Sequence, residues 1–164
     1  MAELTNLESK LAEVLGLAMA AKGATTKVKG LAKRERELVS VLDRMSEEAA
    51  ETQRRCEQLA GSFDGKKTAI VEQARETKQE ATEMMDTYLG DDADALDGFE
   101  FLTMAEAGEV GHWEIVGVLA KSARSADTQA LVEWALPIQQ RHFQDARRGS
   151  LALAEQENPN ETSG

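Results

Sequence analysis

The sequence predicts an all-α protein, a four-helix bundle with one additional crossover helix. Three observations carry that prediction. Ala, Glu, Leu, Lys, Arg and Gln dominate the chain, and these residues lose little side-chain freedom in a helix. Aromatic residues make up only 4% and there are only two prolines, so strand formers and helix breakers are both scarce. Apolar residues recur at alternating three- and four-residue steps in five successive stretches, the period of a single helical face. With 41% hydrophobic residues in a chain of 164, there is material for one core and not for two. Residues 1–154 therefore read as one domain, and 155–164 as a polar tail without period that is expected to be disordered.

The first helix is predicted from about Glu3 to Lys22, with Leu4, Leu7, Leu11, Val14, Ala18 and Ala21 in one seam. Gly23 and the following Ala24-Thr25-Thr26 read as its end and a turn. The second helix is predicted from about Val28 to Ser62, its seam running through Leu38, Leu42, Met45, Ala49, Thr52, Cys56, Leu59 and Phe63. At about 1.5 Å per residue it would be around 50 Å long, a length that suits a bundle. Glu35 interrupts the seam between Leu31 and Leu38 and reads as a helix end beyond the core. Gly61 and Asp64-Gly65 close the helix. The third, about Lys66 to Leu89, carries Ile70, Ala74, Thr77, Ala81, Met84 and Tyr88. Its seam is narrow and rich in small residues, so it is the element expected to lie against the bundle as a crossover. The fourth is predicted from Asp94 to Ala123, with Asp92 or Asp94 as its N-cap, and the fifth from Ala126 to Ala154, capped by Ser125 or Asp127. Pro137, inside the fifth, is expected to kink it.

A formal net charge of −11 argues against nucleic acid as a direct partner, because neutralising phosphates needs a basic surface. It is the charge of a solvated acidic surface, or of one that attracts cations. The single cysteine, Cys56, excludes an intrachain disulfide and suits a reducing compartment. Its seam neighbours Thr52 and Leu59 mark it as a buried small hydrophobe. Met84 and Met85 likewise read as packing residues. No apolar run approaches the roughly 20 residues that span a bilayer, and Met1-Ala2-Glu3-Leu4 lacks the basic-then-apolar pattern of a secretion signal. The expectation is a cytoplasmic protein with no membrane partner.

Chemistry enters through the only two histidines. On the fourth helix the spacing Leu102, Ala105, Glu109, His112, Val116, Leu119, Ala123 places Glu109 and His112 in the centre of an apolar seam. On the fifth, Val132, Ala135, Gln139, His142, Ala146, Gly149, Leu153 places Gln139 and His142 in the same position. An i, i+3 pair points both side chains one way, so each helix would offer an oxygen and a nitrogen to one metal ion. Di-iron and di-manganese bundles combine two such motifs with a glutamate from each of the other two helices. Hard carboxylates neutralise the cations and imidazole completes the shell. Glu8 on the first helix and Glu48 and Glu51 on the second are the candidates for those remaining ligands. Gln139 is the weak member, since a neutral amide offsets no charge.

These pieces also resemble a family. Leu7-Glu8-Ser9-Lys10-Leu11, Glu51-Thr52 with Leu59 beyond, Ala69-Ile70 with Glu76, and above all Val110-Gly111-His112-Trp113-Glu114-Ile115 are similar to stretches of the YciE/YciF-like group of bacterial ferritin-like stress proteins. The resemblance runs in order from about residue 7 to residue 154. It implies a ferritin-like bundle, a homodimer, and a two-metal centre holding iron or manganese. The chain departs from the pattern at Gly111, where the family has glutamate before the histidine, and at Glu48 and Arg55, where it has histidines. The family's paired glutamates on the last helix are replaced near Gln139, Gln140 and His142. Arg55, facing inward, would put a guanidinium where a metal would sit.

Two functions follow as expectations. One is a ferritin-like, stress-associated protein with an altered metal site built from Glu8, Glu48, Glu51, Glu109, His112, Gln139 and His142. The other is a metal-free helical bundle that acts through assembly or partner binding. A dimer is expected on a second apolar face of the fourth helix, with Val110, Trp113 and Ile115.

Overall fold

A computed structural model describes residues 1–162, which form five helices and no strand. They are α1 (Asn6–Leu31), α2 (Arg36–Ala60), α3 (Lys67–Tyr88), α4 (Ala95–Ser122) and α5 (Ala126–Ala154). α1 packs on α2 and α4, and α5 packs on the same two, so these four close a ring. α3 stays outside the ring, against α1 and the edge of α2. Ring neighbours are antiparallel: Gly98 near the start of α4 meets Val28 and Leu31 near the end of α1, and Arg44 and Glu48 of α2 pair with Asp145 and Arg141 of α5. α3 runs parallel to α1, with Gln73 donating to the Ser9 carbonyl at 3.3 Å and Thr77 lying over Gly16.

The apolar core is divided along its length. One cluster gathers Leu11, Val14, Leu15, Cys56, Ile70, Trp113 and Val116. The other gathers Val28, Leu42, Met45, Phe99 and Leu102. Between them in sequence, on α4 and α5, lie the buried polar residues Glu106, Glu109, Gln139 and His142. The bundle thus carries a polar layer at mid-height, sealed above and below by apolar side chains.

Several expectations from the sequence are corrected. α1 does not end at Gly23 but continues to Leu31. Thr25 and Thr26 remain helical by turning their hydroxyls back onto the Ala21 and Lys22 carbonyls. α2 accordingly starts eight residues later than predicted, at Arg36, with Glu35 at its N-cap position. α4 begins in a capping box, where Asp94 and Asp97 satisfy each other's backbone N–H at 2.9 Å. α5 has the predicted limits and runs through Pro137 as helix. Met84 is not a packing residue: it is exposed, while Met85 beside it is buried. Trp113 does not belong to an outer face but is 1% exposed in the core. Residues 155–162 follow α5 as turns and irregular chain, and the tail's last two, Ser163 and Gly164, lie outside the described residues.

Candidate functional site

The polar layer is built by three helices. α5 supplies Gln139 and His142, α4 supplies Glu106 and Glu109, and α2 supplies Glu48. His142 sits between two carboxyls, with Nε2 3.3 Å from Glu48 Oε1 and Nδ1 3.7 Å from Glu106 Oε2. The Gln139 amide donates to the same Glu106 oxygen. Glu48 is also held by the Arg141 guanidinium, and Arg44 approaches it to 3.8 Å. Burial alone pushes the Glu48 carboxyl up, and hydrogen bonds from Arg141 and His142 outweigh it, leaving it below its ordinary value. Burial holds the His142 imidazole below its ordinary pKa, against the pull of Glu48. Its ring is therefore predominantly neutral at pH 7.

Glu106 and Glu109 are the strongest departures. Burial raises the Glu106 carboxyl to about 7, against the opposing bond from Gln139. Burial, and then the charge of Glu106, pushes Glu109 well above the ordinary carboxylate range. No described side chain hydrogen-bonds the Glu109 carboxyl, though the residue is only 7% exposed.

The seven residues expected as ligands do not converge. Glu48, Glu109, Gln139 and His142 belong to the polar layer. Glu8 lies near the start of α1, where it forms a capping box with Thr5 and lies 3.6 Å from Lys66. Thr5-Asn6-Leu7-Glu8 is the S/T-x-x-E signature of such a cap, a signal in the sequence that assigns Glu8 locally. Glu51 is gripped by Arg54 and Arg55, whose hydrogen bonds hold its carboxyl down at about 2. Arg55 does not face the interior, since its guanidinium stacks over the Trp134 ring at 4.1 Å. His112 turns toward α1, its Nδ1 3.2 Å from Glu13 Oε2 without hydrogen-bond geometry. Among the described residues no group of three or more His, Cys, Asp or Glu side chains is arranged to hold a metal ion. The residues present do not fit the expected two-metal centre. Cys56 is fully buried, and burial raises its thiol pKa, which leaves it unreactive.

The polar layer opens on one side into a groove. α3 and α4 both rest on α1 with a gap between them, and a cavity of about 370 Å³ fills that gap. Its floor is Leu17, Ala20, Ala21 and Ala24 of α1. One wall is Ala81, Thr82, Met84, Met85 and Tyr88 of α3. The other is α4, where Phe101, Leu102, Met104 and Ala105 give way to Glu106, Glu109 and His112. Alanines at three of the four floor positions leave the space between the flanking helices unfilled. Glu106 was not among the sequence candidates, yet it is the one carboxyl that touches both the groove and the Gln139–His142 pair.

Set against known proteins, the chain matches no family model, no curated protein and no solved structure. No helix of the described residues is long and apolar enough to cross a membrane.

Proposed function

We propose that this chain is a helical-bundle binding protein whose ligand is a small, largely apolar molecule received in the groove between α3 and α4. One observation carries the reading: an apolar cavity of about 370 Å³ is backed by two buried carboxyls that the fold itself leaves incompletely paired. Ligand sites are typically concave, apolar and of roughly 300–1,000 Å³, with a few converging polar groups of perturbed pKa. The test is calorimetric titration with decanol below its solubility limit. Saturable binding that Ala105→Phe removes, by filling the groove, supports the reading. Binding unaffected by that substitution, or none, rejects it.

A second reading keeps the ferritin-like resemblance and its iron or manganese. Its support is the carboxyl and imidazole content of the polar layer. With Glu8, Glu51 and His112 engaged elsewhere, it keeps only Glu48, Glu109, Gln139 and His142 of the expected ligands and would need them to close on a cation. Gln139→Glu separates the readings. Beside a bound cation the new carboxylate offsets charge, so Mn²⁺ or Fe²⁺ should raise the melting temperature of the variant more than that of the parent. Without a cation the variant adds a third acid to a buried pair and should melt lower than the parent, with no response to metal. On the same resemblance the chain is proposed to be a homodimer, assembled through the outer face of α4.

A further inference from the structure

We infer that the groove takes a cationic amphiphile, an alkyl chain ending in a primary ammonium, with the ammonium received by the carboxyls of Glu106 and Glu109. This rests on the groove being the ligand site and names the chemistry of its ligand.

The two carboxyls stand three residues apart on α4, hence on one face, and both line the groove. Their acceptor capacity is largely unused. Glu106 accepts the Gln139 amide on Oε2, while its Oε1 accepts nothing from the described residues, and neither oxygen of Glu109 does. No cationic side chain is supplied from the surrounding helices. α1 presents only Leu17, Ala20, Ala21 and Ala24 here, and α3 presents no charged side chain. α5 presents Gln139 and His142, the latter shared with Glu48, which Arg141 already holds. His112, on α4 itself, is turned toward Glu13. An ammonium brings three donors and a positive charge that favours the ionised carboxyls, whose protons pass to solvent as it binds. A carboxylate head would meet two acids, and a hydroxyl would leave most of the acceptors unmet. The rest of the groove suits an alkyl tail. It is walled by alanines and methionines and ends at the Tyr88–Phe101 ring pair, whose centroids are 5.7 Å apart. A net charge of −11 favours the approach of a cation over that of an anion.

The experiment is calorimetric titration of the full chain with decylamine and decanoate below their micelle concentrations and decanol below its solubility limit. Decylamine should bind about tenfold or more tighter than decanol, the scale of a charge-assisted hydrogen bond, and decanoate should bind weakest. Glu109→Gln should narrow the preference for decylamine over decanol, since Glu106 alone then offers a carboxylate, and Glu106→Gln combined with Glu109→Gln should abolish it. Circular dichroism checks that the variants are folded, and the rank order in the unaltered protein stands as a test without them. Decanol equal to decylamine, or decanoate tighter than both, overturns the ammonium assignment while keeping the groove as a ligand site. Failure of all three to bind overturns the groove reading itself.

Discussion

A carboxyl withdrawn from water is easier to keep protonated than ionised, and Glu106 and Glu109 are both buried at the back of the groove. Stability should register this. An unfolded glutamate loses its proton near its ordinary value, 4.5, while folded Glu106 holds its proton to about 7. Between those values the folded state binds more protons, so the contribution of Glu106 to stability falls as pH rises through that window. His142 acts oppositely in part of the range. Its folded pKa is depressed below 6.5, so its contribution falls as pH drops below that value. Glu106→Gln removes the first dependence and leaves the second. The variant is expected to be more stable than the parent at pH 8, on the order of 1–3 kcal/mol, with the difference vanishing toward pH 4.5. Urea unfolding at a series of pH values measures it. A variant less stable than the parent at pH 8 would contradict the buried-acid account.

At the scale of elements, two glycines on α1 make opposite predictions for one substitution. A Cβ on Gly16 would come within 2.6 Å of the Thr77 Cβ and would also press on the Ala74 carbonyl of α3. That close approach is what holds α3 against the bundle. Gly16→Ala must push the helices apart and should cost about 1–3 kcal/mol. Gly23 lies in the same helix with nothing within 4 Å of its missing Cβ. Gly23→Ala should stabilise by up to about 1 kcal/mol, because alanine is the better helix former and meets no neighbour. Thermal unfolding of the pair checks both signs. α3 also borders the groove, so Gly16→Ala should weaken decanol binding, whereas Gly23→Ala should leave it intact.

For the whole molecule, the ring of four helices leaves one apolar stripe of α4 exposed, its Met104 and Gly108 end bordering the groove. Met104, Ile115 and Val118 of α4 are exposed, and Gly108 and Gly111 between them have open space above them. Two copies of α4, antiparallel about a two-fold axis between the glycines, would set Met104 of each copy against Ile115 of the other. Gly108 would then face Gly111, letting the backbones approach. Such self-complementarity is what an isologous interface requires. The homodimer proposed on the family resemblance would therefore use a face rotated from the one containing Trp113, which the protomer's own core consumes. Light scattering at micromolar concentration should report a dimer and Val118→Lys a monomer. A monomeric parent would reject the assembly.

Periodicity and composition by themselves determined the five helices, the outlying place of α3 and the inward face of α5. On α5 the seam Val132, Ala135, Gln139, His142, Ala146, Gly149, Leu153 is buried in full, because that helix has one apolar stripe and no rival to it. α4 was ambiguous. Leu102, Glu109 and Val116 are common to two stripes, one passing through Ala105, His112 and Leu119, the other through Glu106, Trp113 and Ala120. The fold buries the second, since Trp113 is by far the largest apolar side chain among the contested positions and its burial contributes most. Turning Trp113 inward carries Glu106 in with it and rotates His112 toward α1. The size of Trp113 was the signal in the sequence that pointed there. The length of α1 was not legible, because Gly23 and two threonines read as a turn until packing on three other helices holds them helical. The groove was decided by tertiary structure alone. It is a gap between α3 and α4, elements that are adjacent in the chain but meet through the alanine face of α1, and no local pattern specifies how far apart two helices come to rest on a third.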